Sequence, residues 1–403
     1  MQFNLTLPTP RVLARLGRED VASLIAKLIA SGAARSRAEL GRATGLSRTT
    51  IDAGTNALLD LGAVQISGLE AAAGRGRPAE LLEIAPDFGA VLVADCGATF
   101  ARIALFDLGQ NLLEGHEIEL PITRGPTAVL RTIVEMFRAL LSNARAGHRP
   151  RSAIVGLPGP VDYRAGTLVR PPIMPGWDGY PVVAELESEL DCVAQLENDV
   201  NLRALGEART QPPLHGPVLY IKVGTGIGVG IVSADGTLLR GADGSAGDVG
   251  HVRVPEQDAL CTCGSRGCLE AVASIRAVGR ALGIEESSEI GLVHEVIERI
   301  NHHDARTLEV ITERAHYIGD TTVSLVHYLN PERIVIGGVL AMASDNLLAT
   351  TRSVVYRRAL PLATRTLVIS RPLLDNRSGL AGGLALGLDS ALDPPMLARR
   401  MGI

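Results

Sequence analysis

No uninterrupted apolar run in these 403 residues approaches the ~18 to 20 needed to cross a bilayer, although 46% of the residues are hydrophobic. A membrane-spanning role is excluded, and no membrane partner is expected. The opening Met-Gln-Phe-Asn-Leu-Thr-Leu-Pro has no basic segment followed by an apolar core, so no secretory signal is expected and the cytoplasm is the expected compartment. An excess of positive charge is also missing: 39 Lys and Arg face 44 Asp and Glu, for a net charge of −5. Nucleic-acid binding by the surface as a whole is excluded, and any such activity must be local. Cysteine is scarce, with five in the chain, and two of these, Cys96 and Cys192, stand apart and read as buried, reduced thiols. What is present is length, enough for two or three domains around a large core.

The other three cysteines lie close together. In His251-Val-Arg-Val-Pro-Glu-Gln-Asp-Ala-Leu-Cys261-Thr-Cys263-Gly-Ser-Arg-Gly-Cys268, three thiols and one imidazole fall within eighteen positions. Four ligands of these types close a tetrahedral zinc site, and Gly264 and Gly267 permit the tight, partly left-handed path by which three sulfurs converge. Zn2+ held by His251, Cys261, Cys263 and Cys268 is the expected cofactor. Its role is expected to be structural, because four protein ligands leave no open position for a metal-bound water. A disulfide or unrelated buried thiols are the alternatives.

Residues 1–18 carry Pro8, Pro10 and scattered polar residues and read as a poorly ordered arm. Residues 19–85 read as a winged helix-turn-helix. Leu24, Ile25, Leu28 and Ile29 fall at helical spacing, Ser36-Arg-Ala-Glu39 resembles a capping box opening a second helix, and Gly45-Leu46 ends that helix in a turn before Ser47 caps a third. Gly41 is expected to allow close helix packing, with Leu40, Leu46 and Ile51 inside. Gly62-Ala-Val-Gln-Ile-Ser and Ala79-Glu-Leu-Leu-Glu-Ile then supply a two-stranded wing. An ordinary helical subdomain is the plainer reading. Charge favours DNA: residues 35 to 48 hold Arg35, Arg37, Arg42 and Arg48 against Glu39 alone, and Arg75-Gly-Arg77 makes a basic tip suited to a minor groove. Ser47, Arg48, Thr49, Thr50, Arg75 and Arg77 are the expected DNA-contacting residues. Asp52 and Gly54 cut the other way, since an acid repels phosphates and a glycine weakens the recognition helix by about 1 kcal/mol.

The rest of the chain repeats itself. Val91-Leu-Val-Ala-Asp95-Cys-Gly97-Ala-Thr99 and Val218-Leu-Tyr-Ile-Lys222-Val-Gly224-Thr-Gly226 are both apolar strands entering a Gly/Thr turn, each followed by a return strand, at an offset of 127 residues. Interspersed helices near 127–143, 181–190, 270–282 and 305–328 make the chain α/β, with two similar lobes facing a cleft. Residues 391–403 read as a C-terminal tail.

Asp95-Cys-Gly97-Ala-Thr99, Gly156-Leu-Pro-Gly159-Pro, Pro175-Gly-Trp177, Glu197-Asn198-Asp199-Val-Asn201, Gly224-Thr-Gly226-Ile-Gly228, Ala246-Gly-Asp248-Val-Gly-His251, the cysteine loop and Ile336-Gly337-Gly338 occur in the order of the ROK family's motifs. The chain resembles that family of bacterial sugar kinases and sugar-responsive repressors over residues 88–390. The resemblance implies an actin-like, ribonuclease-H-like fold for the two lobes. It also implies that Asn198, Asp199, Asp248, His251 and Glu270 ring a monosaccharide or sugar phosphate, with Asp199 as the catalytic base of any kinase activity. Asp95, Gly97 and Thr99 match a first phosphate turn, Gly224, Thr225, Gly226 and Gly228 a second, and Gly337 and Gly338 an adenosine contact. Mg-ATP is therefore the cofactor if the chain is a kinase. Taken singly, each glycine cluster reads as a tight turn and Asp199 as a helix-capping acid. Asp248 stands where the family usually has Glu, and Ala98 and Phe100 depart from the kinase pattern.

The roughly 85 residues before the Asp95 strand favour a sugar-responsive DNA-binding transcriptional regulator, expected to be a repressor, over a sugar kinase with an appended head. A protein-binding scaffold would need neither the head nor the sugar ring. The expected partner is a near-palindromic duplex operator, bound by a homodimer or a dimer of dimers.

Overall fold

The computed structural model describes residues 1–8, 17–70, 78–144, 148–211, 214–285 and 288–401. The head opens with α1 (Arg18–Ala30), α2 (Arg37–Thr44) and α3 (Arg48–Asp60), followed by an antiparallel hairpin of β1 (Val64–Glu70) and β2 (Ala79–Ile84). Arg75 and Arg77, expected at the wing tip, lie outside the described residues. Local chemistry sets the boundaries. Ser36 Oγ accepts from the Glu39 amide at 3.4 Å, Gly45 ends α2 at φ +69°, and Ser47 Oγ accepts from the Thr50 amide at 3.2 Å. The expected capping box closes differently: the Glu39 carboxylate accepts from the Arg35 amide at 2.7 Å, one residue before the cap.

The close helix approach lies at a different glycine from the one expected. A Cβ on Gly41 would meet nothing within 4 Å, whereas one on Gly54 would come within 2.7 Å of Ile25 Cδ1 and 2.9 Å of Val21 Cγ1. Packing of α3 on α1 therefore offsets the helix-weakening effect of Gly54. The repulsion expected of Asp52 is answered as well, because Arg37 and Arg48 lie 3.3 and 3.7 Å from its carboxylate.

In the first lobe come β3 (Ala90–Cys96), β4 (Phe100–Asp107), β5 (Leu112–Glu119), α4 (Pro126–Asn143), β6 (Pro150–Leu157), a short hairpin of β7 (Val161–Asp162) and β8 (Thr167–Leu168), α5 (Val182–Leu190), β9 (Val193–Asn198) and α6 (Asp199–Thr210). Its sheet runs β5-β4-β3-β6-β9, antiparallel through the first three strands and parallel thereafter. The second lobe holds β10 (Val218–Val223), β11 (Ile227–Val232), α7 (Leu269–Ala273), α8 (Ile275–Leu282), α9 (Glu289–Asn301), α10 (Ala305–Leu329), β12 (Arg333–Gly337), α11 (Val339–Ala343), α12 (Asp345–Arg358), α13 (Pro361–Thr364) and β13 (Val368–Ser370). Its sheet runs β11-β10-β12-β13. The predicted helix 270–282 is thus two helices, broken at Ser274. The 127-residue duplication appears as equivalent hairpins, β3–β4 and β10–β11. Helix α6 and a returning helix, α14 (Ser378–Ala391), cross closely: a Cβ on Gly206 or Gly382 would lie 2.1 Å from Ser378 O or 1.8 Å from Leu202 O.

The expectation of a poorly ordered arm needs correction at its start, while residues 9–16 of it lie outside the described residues. Over residues 2–7 the arm is built into the protein: Phe3, Leu5 and Leu7 are buried, and Phe3 meets Phe106 edge-on at 5.5 Å. Apolar side chains at alternate positions give this segment a face to bury, which outweighs its sparse local structure. The C-terminal tail carries a helix, α15 (Pro394–Met401), that packs on α1 with Leu397 fully buried. Head, arm, α14 and the first lobe share one apolar core.

Gln110 secures that junction. Its side chain accepts from the Leu5 amide at 2.7 Å and donates to the carbonyls of Leu5 and Ala30 at 3.0 and 2.8 Å, in a buried setting. Gln110→Ala leaves these backbone groups unpaired, and a stability loss of about 2 to 4 kcal/mol is expected in urea unfolding. A change below about 0.5 kcal/mol would show that water replaces these bonds without cost.

Candidate functional site

Where the lobes meet, one cavity is lined from the first lobe by Pro158, Gly159, Asn198 and Asp199, and from the second by Lys222, Thr225, Gly226, Gly228, Asp248, His251 and Glu270. The five positions matched to a sugar ring thus face a common space. Asn198 caps α6, its Oδ1 accepting from the amides of Val200 and Asn201 at 2.9 and 3.3 Å while Nδ2 donates to Gly159 O at 3.0 Å. Asp199 occupies the first turn of α6, next to that cap, and is buried. Glu270 Oε2 accepts from the Ile227 amide at 3.1 Å, and a Cβ at position 226 would lie 2.7 Å from this oxygen, so a side chain there would displace the carboxylate. Asp248 is exposed and accepts from Ser245 Oγ at 3.0 Å.

Two cations missed in the sequence stand beside these groups. Lys222 Nζ donates to Asp199 Oδ2 at 2.5 Å. Arg203 Nη2 lies 3.0 and 2.9 Å from the two oxygens of Asp95, and Arg203 Nε lies 4.0 Å from Asp199 Oδ2. The signal was present: positions 199 and 203 share one helix face, and the 127-residue offset carries Asp95 onto Lys222. Burial pushes the Asp95 carboxyl above its usual range, and the Arg203 guanidinium opposes that shift.

The positions matched to a nucleotide site divide. Thr225, Gly226 and Gly228 line the cavity, while Asp95, Gly97, Thr99, Gly224, Gly337 and Gly338 do not. The Gly97 and Gly224 amides close their own turns, donating to Phe100 O at 2.8 Å and Gly226 O at 3.0 Å. Gly337 is required by the Tyr220 hydroxyl, 2.0 Å from a would-be Cβ, and Gly338 has φ +92° against Val223 O. Packing alone therefore accounts for both glycines.

The metal candidates converge. The ligand atoms of His251, Cys261, Cys263 and Cys268 all lie within 4.8 Å of one another. His251 Nδ1 is 3.7 Å from Cys261 Sγ, and Cys263 Sγ is 3.8 Å from Cys268 Sγ. Tetrahedral zinc with ordinary bond lengths sets such edges at about 3.6 Å for N to S and about 3.8 Å for S to S, so the donor set fits. All five cysteines are free thiols. The loop depends on Gly267, at φ +74°, where a Cβ would lie 2.4 Å from Gln257 O. The Ser265 backbone amide draws the Cys263 thiol down to about 7, while burial pushes Cys268 up to about 12. Because Nδ1 faces the sulfurs, the ring's other nitrogen is left for the cavity that His251 also lines.

On the head, Ser47, Arg48 and Thr49 are exposed and Thr50 is half-buried at the start of α3. Ser47 Oγ lies 2.8 Å from both threonine hydroxyls. The Arg48 side chain is 94% exposed and lies 3.7 Å from the Asp52 carboxylate, while Arg37 bonds both Asp52 and Asn56. The model of the ROK family matches residues 91–390. A glucokinase of Halalkalibacterium halodurans is 31% identical over 72% of this chain and 92% of its own length. A xylose repressor of Caldicellulosiruptor bescii is 26% identical over 93% of this chain and 97% of its own. Among solved structures, a ROK family transcriptional regulator, a homologue of the Escherichia coli MLC protein, is 24% identical and superposes with a TM-score of 0.77, covering 95% of this chain and 98% of that one. Motif order, lobe architecture and the match across three quarters of the sequence lead to one assignment: this chain belongs to the ROK family.

Proposed function

We propose that the protein is a sugar-responsive transcriptional repressor whose head binds an operator and whose cleft takes a monosaccharide or sugar phosphate. The observation that carries this reading is the head itself, a winged helix-turn-helix with polar residues exposed at the start of α3, packed into the same core as the cleft. The full-length match to a xylose repressor supports it, since the glucokinase match covers only 72% of the chain. His251, Cys261, Cys263 and Cys268 would hold one structural zinc. Asn198, Asp199, Asp248, His251 and Glu270 would bind sugar hydroxyls, carboxylates and amides being suited to bridge adjacent ones.

A route from cleft to head follows the chain. Helix α6 starts at the sugar-lining Asp199, and near its other end Arg209 O accepts from the Thr6 amide at 3.0 Å and the Thr6 hydroxyl at 3.1 Å. Leu5, the next residue of the arm, is pinned by Gln110, which also holds the end of α1. A shift of α6 on sugar binding therefore bears directly on the head's first helix.

A single head makes too few contacts for tight binding at physiological salt, so a two-fold dimer on half-sites about 34 Å apart is the expected DNA-bound state. Selection from a random duplex pool at about 150 mM salt, which suppresses purely electrostatic attachment, is expected to enrich a near-palindromic motif. Arg48→Ala should weaken binding and lower the salt slope by about one phosphate contact, because that side chain is 94% exposed and its pair with Asp52 at 3.7 Å is a surface contact that a phosphate can replace. If no motif is enriched with or without candidate sugars, the repressor assignment fails.

A further inference from the structure

Asp95 and Lys222 occupy equivalent positions on the equivalent strands β3 and β10, one carrying a carboxylate and the other an ammonium. Helix α6 lies between them and presents Asp199 and Arg203 one turn apart. The pairing is crossed: Arg203 takes both oxygens of Asp95 in the first lobe, and Asp199 takes Lys222 in the second. Two anions and two cations sum to zero, and all four are mostly buried, with side-chain exposures of 0, 10, 2 and 16% for Asp95, Arg203, Asp199 and Lys222. Adding a bare divalent cation to that set would leave two uncompensated positive charges in a poorly solvated place, which is strongly unfavourable.

Space gives the same answer. Magnesium keeps several waters and near-octahedral geometry, yet α14 lies directly on Asp95, where a Cβ on Gly379 would sit 2.2 Å from Oδ2. The residues present do not fit a divalent cation at Asp95, with or without a nucleotide beside it.

We propose that Arg203 and Lys222 stand in place of the divalent cation, so that the cleft takes its sugar without metal or nucleotide, and that Asp95 and Asp199 form a latent cation site masked by Arg203. Arg203 is thus the residue that removes the cleft from phosphoryl transfer. The inference does not depend on DNA recognition, and its test is read separately from operator selection.

The experiment titrates Mn2+, alone and with ATP, into the full-length zinc-loaded protein, and assays monosaccharides for phosphorylation with Mg-ATP. The parent is expected to show no Mn-ATP binding below about millimolar and no turnover, the cation position being filled already. Arg203→Ala should raise Mn2+ affinity at least about tenfold, and adding Asp95→Asn should cancel the gain, which separates this site from adventitious ones. Should Arg203→Ala not fold, Arg203→Gln removes the charge while keeping a hydrogen-bond donor, with the same expected gain. Phosphorylation of any monosaccharide by the parent, or submillimolar Mn-ATP binding, overturns the proposal. A folded Arg203 variant with unchanged Mn2+ affinity overturns the masking role.

Discussion

Asp199→Ala is expected to lower monosaccharide affinity by about a hundredfold or more, close to 3 kcal/mol, while leaving DNA binding by the sugar-free protein largely intact. The carboxylate sits at the head of α6, buried, and pairs with Lys222 at 2.5 Å. Its removal takes away one hydroxyl ligand and strands a mostly buried ammonium, so two penalties act on the same cavity. The residues proposed to contact DNA lie elsewhere, at the start of α3 and in the sequence joining the wing strands. Calorimetric titration with sugars, set beside operator binding by the same sample, separates the two functions. Asp199→Asn should fall between parent and Asp199→Ala, because an amide still bonds a hydroxyl but no longer balances Lys222. Parent-like sugar affinity in the alanine variant would mean that the cavity is not the sugar site.

Purified protein is expected to contain one zinc per chain, and Cys263→Ser to release it and loosen the sugar site together. One N–S edge and one S–S edge, at 3.7 and 3.8 Å, already match a tetrahedral site, all four ligand atoms lie within 4.8 Å of one another, and four protein ligands would leave no position for solvent. Sugar affinity should follow the metal because His251 would serve both proposed sites: losing zinc would free the ring that also lines the cavity. Acidification works in the same direction. Protons compete with zinc for each thiolate, so apparent zinc affinity falls as pH drops below the value of about 12 to which burial pushes the metal-free Cys268, and more steeply once pH passes below the value of about 7 to which the Ser265 amide draws Cys263. Elemental analysis finding no zinc, with a Cys261 disulfide in its place, would remove the metal centre from this account.

Much of this was legible in the residues because it rests on local rules. Ser36, Gly45 and Ser47 mark the ends of α2 and the start of α3 through bonds made within a few positions, and the 127-residue repeat shows in strand-and-turn chemistry that needs no partner. The cysteine loop closes within eighteen residues, so its ligands had little freedom to fall elsewhere. By contrast, Gly41 and Gly54 look alike in sequence, and only the placement of α1 against α3 makes the second the required one.

The sequence by itself determined the helices and hairpin of the head, the repeated hairpins of the two lobes, and the four His and Cys residues that converge, since periodicity, capping and short-range spacing are properties of neighbouring residues. The tertiary structure alone decided that Phe3, Leu5 and Leu7 of the arm are buried, that Asp52 is neutralised, and that Arg203 and Lys222 pair with Asp95 and Asp199. Each of these depends on groups far apart in the chain: Leu5 with Gln110, Arg37 with Asp52, Asp95 with Arg203. The free energy of a buried charge or apolar side chain is set by whichever groups the fold brings to it.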